Sequence, residues 1–497
     1  MAKICYNSTR GLQQNLSASQ AILNGISKDG GLFVPDQIPF VGNKLDKCIH
    51  MGYKELALFI ISKFFTDIDE KELSSCIDKA YDNKFEFDEI VPLKKTKEAF
   101  YMELYHGPTL AFKDMALCLL PYLMKVSAKI QKLEKEIVIL TATSGDTGKA
   151  ALQGFADVEG TKIIVFFPKD GVSEIQRMQM ITQKGENTKV IGIDGNFDDA
   201  QGEVKKIFNE DELRNKLNEN GYMFSSANSI NIGRLIPQVV YYFYGYLELV
   251  RRGEIELGDK INFDVPTGNF GNILAAYYAK KMGLPVNRLI CASNDNKVLF
   301  DFLSTGTYDK MRDFIVTISP SMDILVSSNL ERLIYDISSK NTNLIRKLMG
   351  DLNSEGKYTI TDDMKDQLKL FYGGFASEKD TMDSIKYNFE NYKYLIDTHT
   401  AVAHSVYEKY VNDTGDETKT IIVSTASPYK FTRSVMTALD DKYSSFDDME
   451  LVDIMSKVSG LQVPAVLKDL KKGSIVHKSI CKKQNMKDEI IKFLLTC

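Results

Sequence analysis

From about residue 96 the chain alternates between short apolar runs and helical patterns, and this rhythm constrains its fold more than any other feature. Apolar runs at 136–141, 162–167, 189–193, 261–265, 288–292 and 419–424 read as strands. The stretches between them carry apolar residues at helical spacing. Strands that alternate with helices imply a mainly parallel sheet covered on both faces, so residues 96–440 are expected to form an α/β core. Residues 1–95 read instead as amphipathic helices at 19–26, 53–65 and 71–81, with a turn at Asp29-Gly30-Gly31. They hold no catalytic constellation and are expected to form a separate N-terminal domain packed on the core. Between Gly306 and Asn391 the pattern is polar and helical. Residues 441–497 also read as a helical segment packed on the core. No internal repeat interrupts this plan.

Composition excludes several function classes. A chain of 497 residues has room for two or three domains, and 44% hydrophobic with 26% charged residues is ordinary for a soluble globular protein. Its net charge of -5, with both signs interspersed, gives no nucleic-acid footprint. The lysines near the C-terminus (Lys471, Lys472, Lys478, Lys482, Lys483) alternate with acids and apolar residues, as on a solvated helical face. The start lacks the apolar run of a signal peptide, and the longest apolar segment, 239–250, is too short for a bilayer and carries Glu248. A cytoplasmic protein without a membrane partner is expected. The seven cysteines include no C-x-x-C pair, which argues against a disulfide framework and a cysteine zinc site. His399 and His404 lie five residues apart, where a zinc-binding helix uses four. His404 reads as a partly buried helix residue and His399 as part of a helix start.

Two glycine-rich loops and one lysine carry the chemistry. Thr141-Ala142-Thr143-Ser144-Gly145-Asp146-Thr147-Gly148 follows a strand run and opens a helix. Such a junction offers backbone N–H groups and a helix N-terminus to a carboxylate or phosphate, although an ordinary capped βα turn reads the same way. It is not a Walker A loop, because Lys149 is followed by Ala150. Pro266-Thr267-Gly268-Asn269-Phe270-Gly271-Asn272 has the same setting, and its G-x-x-G spacing suits one phosphate better than a dinucleotide. Lys113 sits among Leu110, Ala111, Phe112, Met115 and Ala116 just after Gly107-Pro108. It is either a helix-start lysine with its head in water, or a desolvated amine suited to Schiff-base chemistry. A buried-type lysine, a carboxylate-sized loop and a phosphate cradle together describe pyridoxal phosphate with an amino-acid substrate.

Motifs along the chain carry a resemblance that sharpens this reading. They are Tyr6-Asn7-Ser8-Thr9-Arg10-Gly11, Lys28 to Pro35, His106 to Asp114, Ser144 to Gly148, and Asn228-Ser229-Ile230-Asn231 with Arg234. Gly268 to Asn272, Asp397 to Val402 and Ser424 to Phe431 complete the set. On these residues the chain resembles the fold-type II pyridoxal phosphate enzymes, and among them the longer bacterial and fungal branch of the threonine synthase family. The resemblance implies a two-lobed core with the cofactor between the lobes.

It also implies roles. Lys113 would form the Schiff base and then move protons. Gly268, Asn269, Phe270, Gly271 and Asn272 would hold the cofactor phosphate. Thr425 would meet the pyridine nitrogen, where a hydroxyl does not force protonation. Asp146 would lie on the cofactor hydroxyl side, and an Asp where many relatives have Asn poses the question of its protonation. Ser144, Gly145 and Thr147, with Gly148, would enclose the substrate carboxylate. Asn228, Ser229 and Arg234 would bind the substrate phosphate. Ser427 stands where the family often has His. The implied reaction turns O-phospho-L-homoserine and water into L-threonine and phosphate, without a metal, in a monomer or homodimer. A dehydratase needs no second phosphate site, so the Asn228–Arg234 motif argues against one. A phospholyase and a cofactor-binding protein without turnover remain alternatives.

Overall fold

The computed structural model describes residues 3–143, 145–170, 172–470 and 473–495. The chain opens with an antiparallel pair, β1 (Tyr6–Ser8) and β2 (Phe33–Pro35). Helices Ala18–Asn24, Tyr53–Phe64 and Glu70–Ala80 surround it, each within a residue or two of the sequence expectation. Next come β3 (Leu93–Lys95) and β4 (Phe100–Glu103), which pair antiparallel, so a division at residue 95 falls inside a hairpin. Then follow β5 (Glu136–Ala142), β6 (Thr161–Pro168), β7 (Thr188–Asp194), β8 (Tyr222–Ser225), β9 (Ile261–Pro266) and β10 (Val286–Ser293). A short pair, β11 (Thr307–Asp309) and β12 (Lys357–Thr359), precedes β13 (Phe371–Phe375), β14 (Thr420–Ser424) and β15 (Ser479–Lys482).

Two sheets form two lobes. The larger runs β13-β10-β9-β14-β4-β3, parallel except for β3, and the smaller runs β15-β7-β6-β5-β8, parallel throughout. All six apolar runs read as strands are strands. Burial explains them: Ile137, Val138, Ile139 and Leu140 of β5 are all buried, as a strand covered on both faces requires. Parallel strands direct their carboxyl ends to one edge, where ligands bind in open α/β sheets. The loops after β5, β8, β9, β10 and β14 all meet there.

The six expected runs leave out β4, β8, β11, β12, β13 and β15. In β13 two glycines weaken the strand signal, yet packing demands them: a Cβ on Gly374 would stand 2.4 Å from Val406 and one on Gly373 would stand 3.2 Å from Leu303. In the C-terminal segment, expected to be helical, β15 extends the smaller sheet beside β7. The helix expected after Lys113 is two helices, Asp114–Leu117 and Leu120–Ile130, because Pro121 can only occupy a first turn.

The N-terminal region is latched to the core near the strand ends. Arg10 and Thr9 both bond Glu331, with Arg10 Nη2 2.8 Å from Glu331 Oε2. Ser225 Oγ donates to Leu23 O at 2.8 Å, and Asn231 Nδ2 donates to Ile22 O at 2.9 Å. Among the described residues no helix is long and apolar enough to cross a membrane.

Candidate active site

Lys113 is fixed by backbone pairing to the end of β14. Phe112 N donates to Thr425 O at 2.8 Å, Ser427 N donates to Leu110 O at 3.0 Å, and Ala111 bridges Ala426. Leu110 takes a left-handed φ of 61° to make this turn. Asp114 closes the loop from below, accepting from Thr109 N (2.7 Å) and Thr109 Oγ1 (2.6 Å). Burial pushes its carboxyl up to about 6, although the Thr109 bonds and Lys430 oppose the shift. Gly107 is required here, since a Cβ would lie 2.7 Å from Asp114.

The Lys113 side chain is only 12% exposed. Its Nζ donates to Ser321 Oγ at 3.0 Å and to Asp146 Oδ2 at 3.4 Å. Burial lowers the pKa of its ammonium, Asp146 opposes that, and the cations Lys430 and Arg234 add to the lowering. Of the two sequence readings for Lys113, the desolvated amine is the one the fold builds.

Asp146 begins the helix Asp146–Phe155 and is ringed by donors. Oδ1 accepts from Gln176 Nε2 at 2.8 Å and pairs with Lys430 Nζ at 3.2 Å; Oδ2 accepts from Ser321 Oγ at 2.9 Å. Burial would raise its pKa, but Lys430 and Lys113 outweigh that and hold the carboxyl well below the usual range. The cations around it thus favour the ionised form of Asp146. Gly145 turns into the helix at φ 134°, and a Cβ there would lie 2.5 Å from the Gln176 amide. Thr143 Oγ1 accepts from both Gly145 N (3.0 Å) and Gly148 N (2.9 Å), so these two amides brace the loop. Thr147 is half-buried beside them, and Ser144 lies outside the described residues.

The second loop is held by its carbonyls. Ser327 Oγ donates to Gly268 O at 2.7 Å; Asn329 donates to Asn269 O through N (3.1 Å) and Nδ2 (3.0 Å). A Cβ on Gly268 would lie 2.6 Å from Ser321 O, which makes glycine necessary where this loop meets the Lys113 partner. Phe270 is buried at a left-handed φ of 61°, and helix Gly271–Lys281 starts at the next residue. Asn272 Oδ1 accepts from Tyr241 (2.5 Å) and Tyr242 (2.6 Å), while its buried Nδ2 has no partner among the described residues.

Arg234, in the first turn of helix Ile232–Arg251, is buried without a carboxylate. One guanidinium nitrogen donates to Ala227 O at 3.0 Å, and Nε makes no bond among the described residues. Burial lowers its pKa to about 10. A buried guanidinium with an idle donor is costly unless an anion joins it. Thr141 Oγ1 donates to Asn228 Oδ1 at 3.5 Å, and Asn329 Nδ2 donates to Ser229 Oγ at 3.4 Å. Asn329 therefore ties the Asn228–Arg234 segment to the second loop. Asn231 is structural, capping its helix by accepting from Gly233 N at 2.9 Å. Thr425 is buried at the end of β14.

The fold brings together Lys113, Asp146, Thr425 and both loops, and adds residues that the sequence reading left without a role. Ser321 bridges Lys113 and Asp146 from a stretch read as polar helix, and no periodic signal marks it. Lys430 and His399 sit inside the quoted motifs. The Lys430 side chain is wholly buried between Asp146 and Thr109 O, to which it donates at 2.7 Å. His399 occupies a helix start, as expected, and also holds Ser321: its Nε2 accepts from Ser321 N at 3.1 Å. Nδ1 must then carry the proton that faces Asp397 Oδ2 at 2.8 Å.

The comparisons with known proteins agree with this geometry. Residues 5–81 match the family described as threonine synthase N terminus, residues 89–356 pyridoxal-phosphate dependent enzyme, and residues 400–472 threonine synthase, C-terminal. Human threonine synthase-like 1 is 39% identical over 447 residues, which cover 86% of this chain and 59% of that protein. The chain thus spans about three fifths of the length of the mammalian relatives it matches. Threonine synthase of Schizosaccharomyces pombe is 35% identical over 478 residues, covering 90% of this chain and 91% of the relative. The crystal structure of PLP-bound threonine synthase from Brucella melitensis superposes with a TM-score of 0.87 at 33% identity, covering 99% of this chain and 100% of that one. By sequence along most of its length, and by fold throughout, the chain belongs to the threonine synthase family of pyridoxal-phosphate dependent enzymes.

Proposed function

We propose that this protein is a carbon–oxygen lyase that converts O-phospho-L-homoserine and water to L-threonine and phosphate with bound pyridoxal 5'-phosphate. The carrying observation is the pairing of the desolvated Lys113 with two buried donors that lack partners among the described residues, Asn272 Nδ2 in the second loop and Arg234 Nε. Two idle donors in two segments joined by Asn329 fit two phosphates, one from the cofactor and one from the substrate.

In this reading Gly268, Asn269, Phe270, Gly271 and Asn272 hold the cofactor phosphate at a helix start. Thr425 faces the ring nitrogen, and Asp146 lies on the ring hydroxyl side. Ser144, Gly145 and Thr147 enclose the substrate carboxylate, while Asn228, Ser229 and Arg234 take its phosphate. The bound cofactor supplies an electron sink for charge that develops at the substrate α carbon. Lys113 Nζ takes the α proton and then a β proton as phosphate leaves the γ carbon, returns a proton at the γ carbon, and, after water has added at the β carbon, returns one at the α carbon. Its lowered pKa keeps a share of the amine neutral for that work. Arg234 stabilises the departing phosphate. Dehydratase chemistry finds no use for Arg234. The same proposal covers a cytoplasmic monomer or homodimer, and the free cysteines Cys5, Cys48, Cys76, Cys118, Cys291 and Cys481 fit a reducing compartment.

The test is incubation of cofactor-loaded protein with O-phospho-L-homoserine, measuring threonine and phosphate. Equal amounts of both, abolished in Lys113→Ala, support the proposal. Phosphate without threonine would make it a phospholyase, and bound cofactor without turnover would make it a binding protein.

A further inference from the structure

The helix Thr398–Thr414 carries a second group of side chains, separate from the active site. His404 is fully buried, with its ring between those of Tyr101 and Tyr387 (centroids 6.4 and 5.9 Å away). Its Nδ1 lies 2.7 Å from Ser384 Oγ. Its Nε2 makes no hydrogen bond within 3.5 Å among the described residues and faces Glu98 Oε2 at 3.6 Å. The other Glu98 oxygen accepts from Tyr387 OH at 2.9 Å, and Tyr392 also bonds the Glu98 carboxyl. Glu408 follows His404 by four residues on the same helix face, with Oε2 3.8 Å from Nδ1. One ligand atom from each of Glu98, His404 and Glu408 lies within 4.8 Å of the others.

We propose that Glu98, His404 and Glu408 form a binding site for a divalent cation of the zinc class. Zinc accepts imidazole nitrogen and carboxylate oxygen at ~2.0–2.2 Å, so two ligands in a tetrahedral set stand ~3.4 Å apart. The separation of 3.6 Å between His404 Nε2 and Glu98 Oε2 is close to that span. In the tautomer whose Nδ1–H donates to Ser384 Oγ, the Nε2 lone pair faces the Glu98 carboxylate, and a cation between them turns repulsion into ligation. Imidazole in the set favours zinc over magnesium or calcium, which prefer oxygen throughout. The histidine spacing of five noted in the sequence is not the relevant one. The pair that shares a helix face is His404 with Glu408. Glu98 comes from the turn between β3 and β4, so the cation would clip that hairpin to the helix whose first turn holds His399.

The experiment uses the full-length, cofactor-loaded protein, freed of metal with a chelator and titrated with zinc chloride by calorimetry. A melting curve with and without zinc accompanies it. The double variant Glu98→Gln, Glu408→Gln is the comparison, because both side chains are partly exposed and the fold should tolerate the change. The expected result is one zinc per chain, bound at least tenfold more tightly by the unaltered protein than by the variant. Zinc should raise the melting temperature of the first and not of the second, and equimolar magnesium should not displace it. Equal zinc binding by both proteins, or none by either, would overturn the site and leave an ordinary histidine–glutamate pair. Turnover does not enter this readout, so the result is independent of the proposed activity.

Discussion

At Asp146 two lysines share one carboxylate, Lys113 at 3.4 Å and Lys430 at 3.2 Å. Lys430 holds the charge on Asp146 and also helps depress the Lys113 pKa. Lys430→Met keeps the stem and removes the charge. The Asp146 carboxyl must then titrate at higher pH, so the acid limb of the pH–rate profile should move upward. An unshifted limb would mean that Asp146 does not govern it. Arg234 acts at the other side of the cleft. Arg234→Ala should raise the KM for O-phospho-L-homoserine by the loss of a charge-assisted bond, about 1.5–3 kcal/mol, with cofactor affinity nearly intact. Steady-state kinetics and cofactor titration check the two halves, and a collapse of cofactor binding would assign Arg234 to the other phosphate.

Among the elements, the start of helix Asp146–Phe155 tolerates little change. Gly145→Ala adds a Cβ 2.5 Å from Gln176 at a φ of 134° and should cost about 1–3 kcal/mol of stability. Gly202→Ala, inside helix Phe197–Asn209 with no atom within 4 Å of the new Cβ, should instead stabilise by about 0.5–1 kcal/mol. Thermal unfolding of the two variants measures the contrast, and shifts of the same sign would contradict it. Strand runs such as β5 and β9 were legible because burial on both faces leaves a continuous apolar signature. The strand β13 was not, because its glycines answer to neighbouring helices. Lys113 and the two loops could be read because their chemistry depends on local chain. Ser321 could not, because its role arises only where a patternless stretch crosses the strand ends.

On the scale of the molecule, the two lobes bury charged groups along their shared face, and that burial makes stability depend on pH. Burial lowers the Lys149 pKa to about 7, with Lys430 adding to the shift and Asp114 opposing it. The unfolded chain therefore binds more protons than the folded one between pH 7 and the ordinary lysine range near 10.4. Stability from this group is present at high pH and is lost as pH falls through about 7. Lys149→Met should flatten the rise in stability between pH 7 and 9. Denaturant unfolding across that range decides it, and parallel curves for the two proteins would rule it out.

The central claim is that this molecule breaks a carbon–oxygen bond and adds water to carbon. Turnover of O-phospho-L-homoserine in water enriched in oxygen-18 reports on both bonds at once. The account predicts label in the threonine hydroxyl and none in the released phosphate. Label in the phosphate would mean cleavage at phosphorus and would contradict the account.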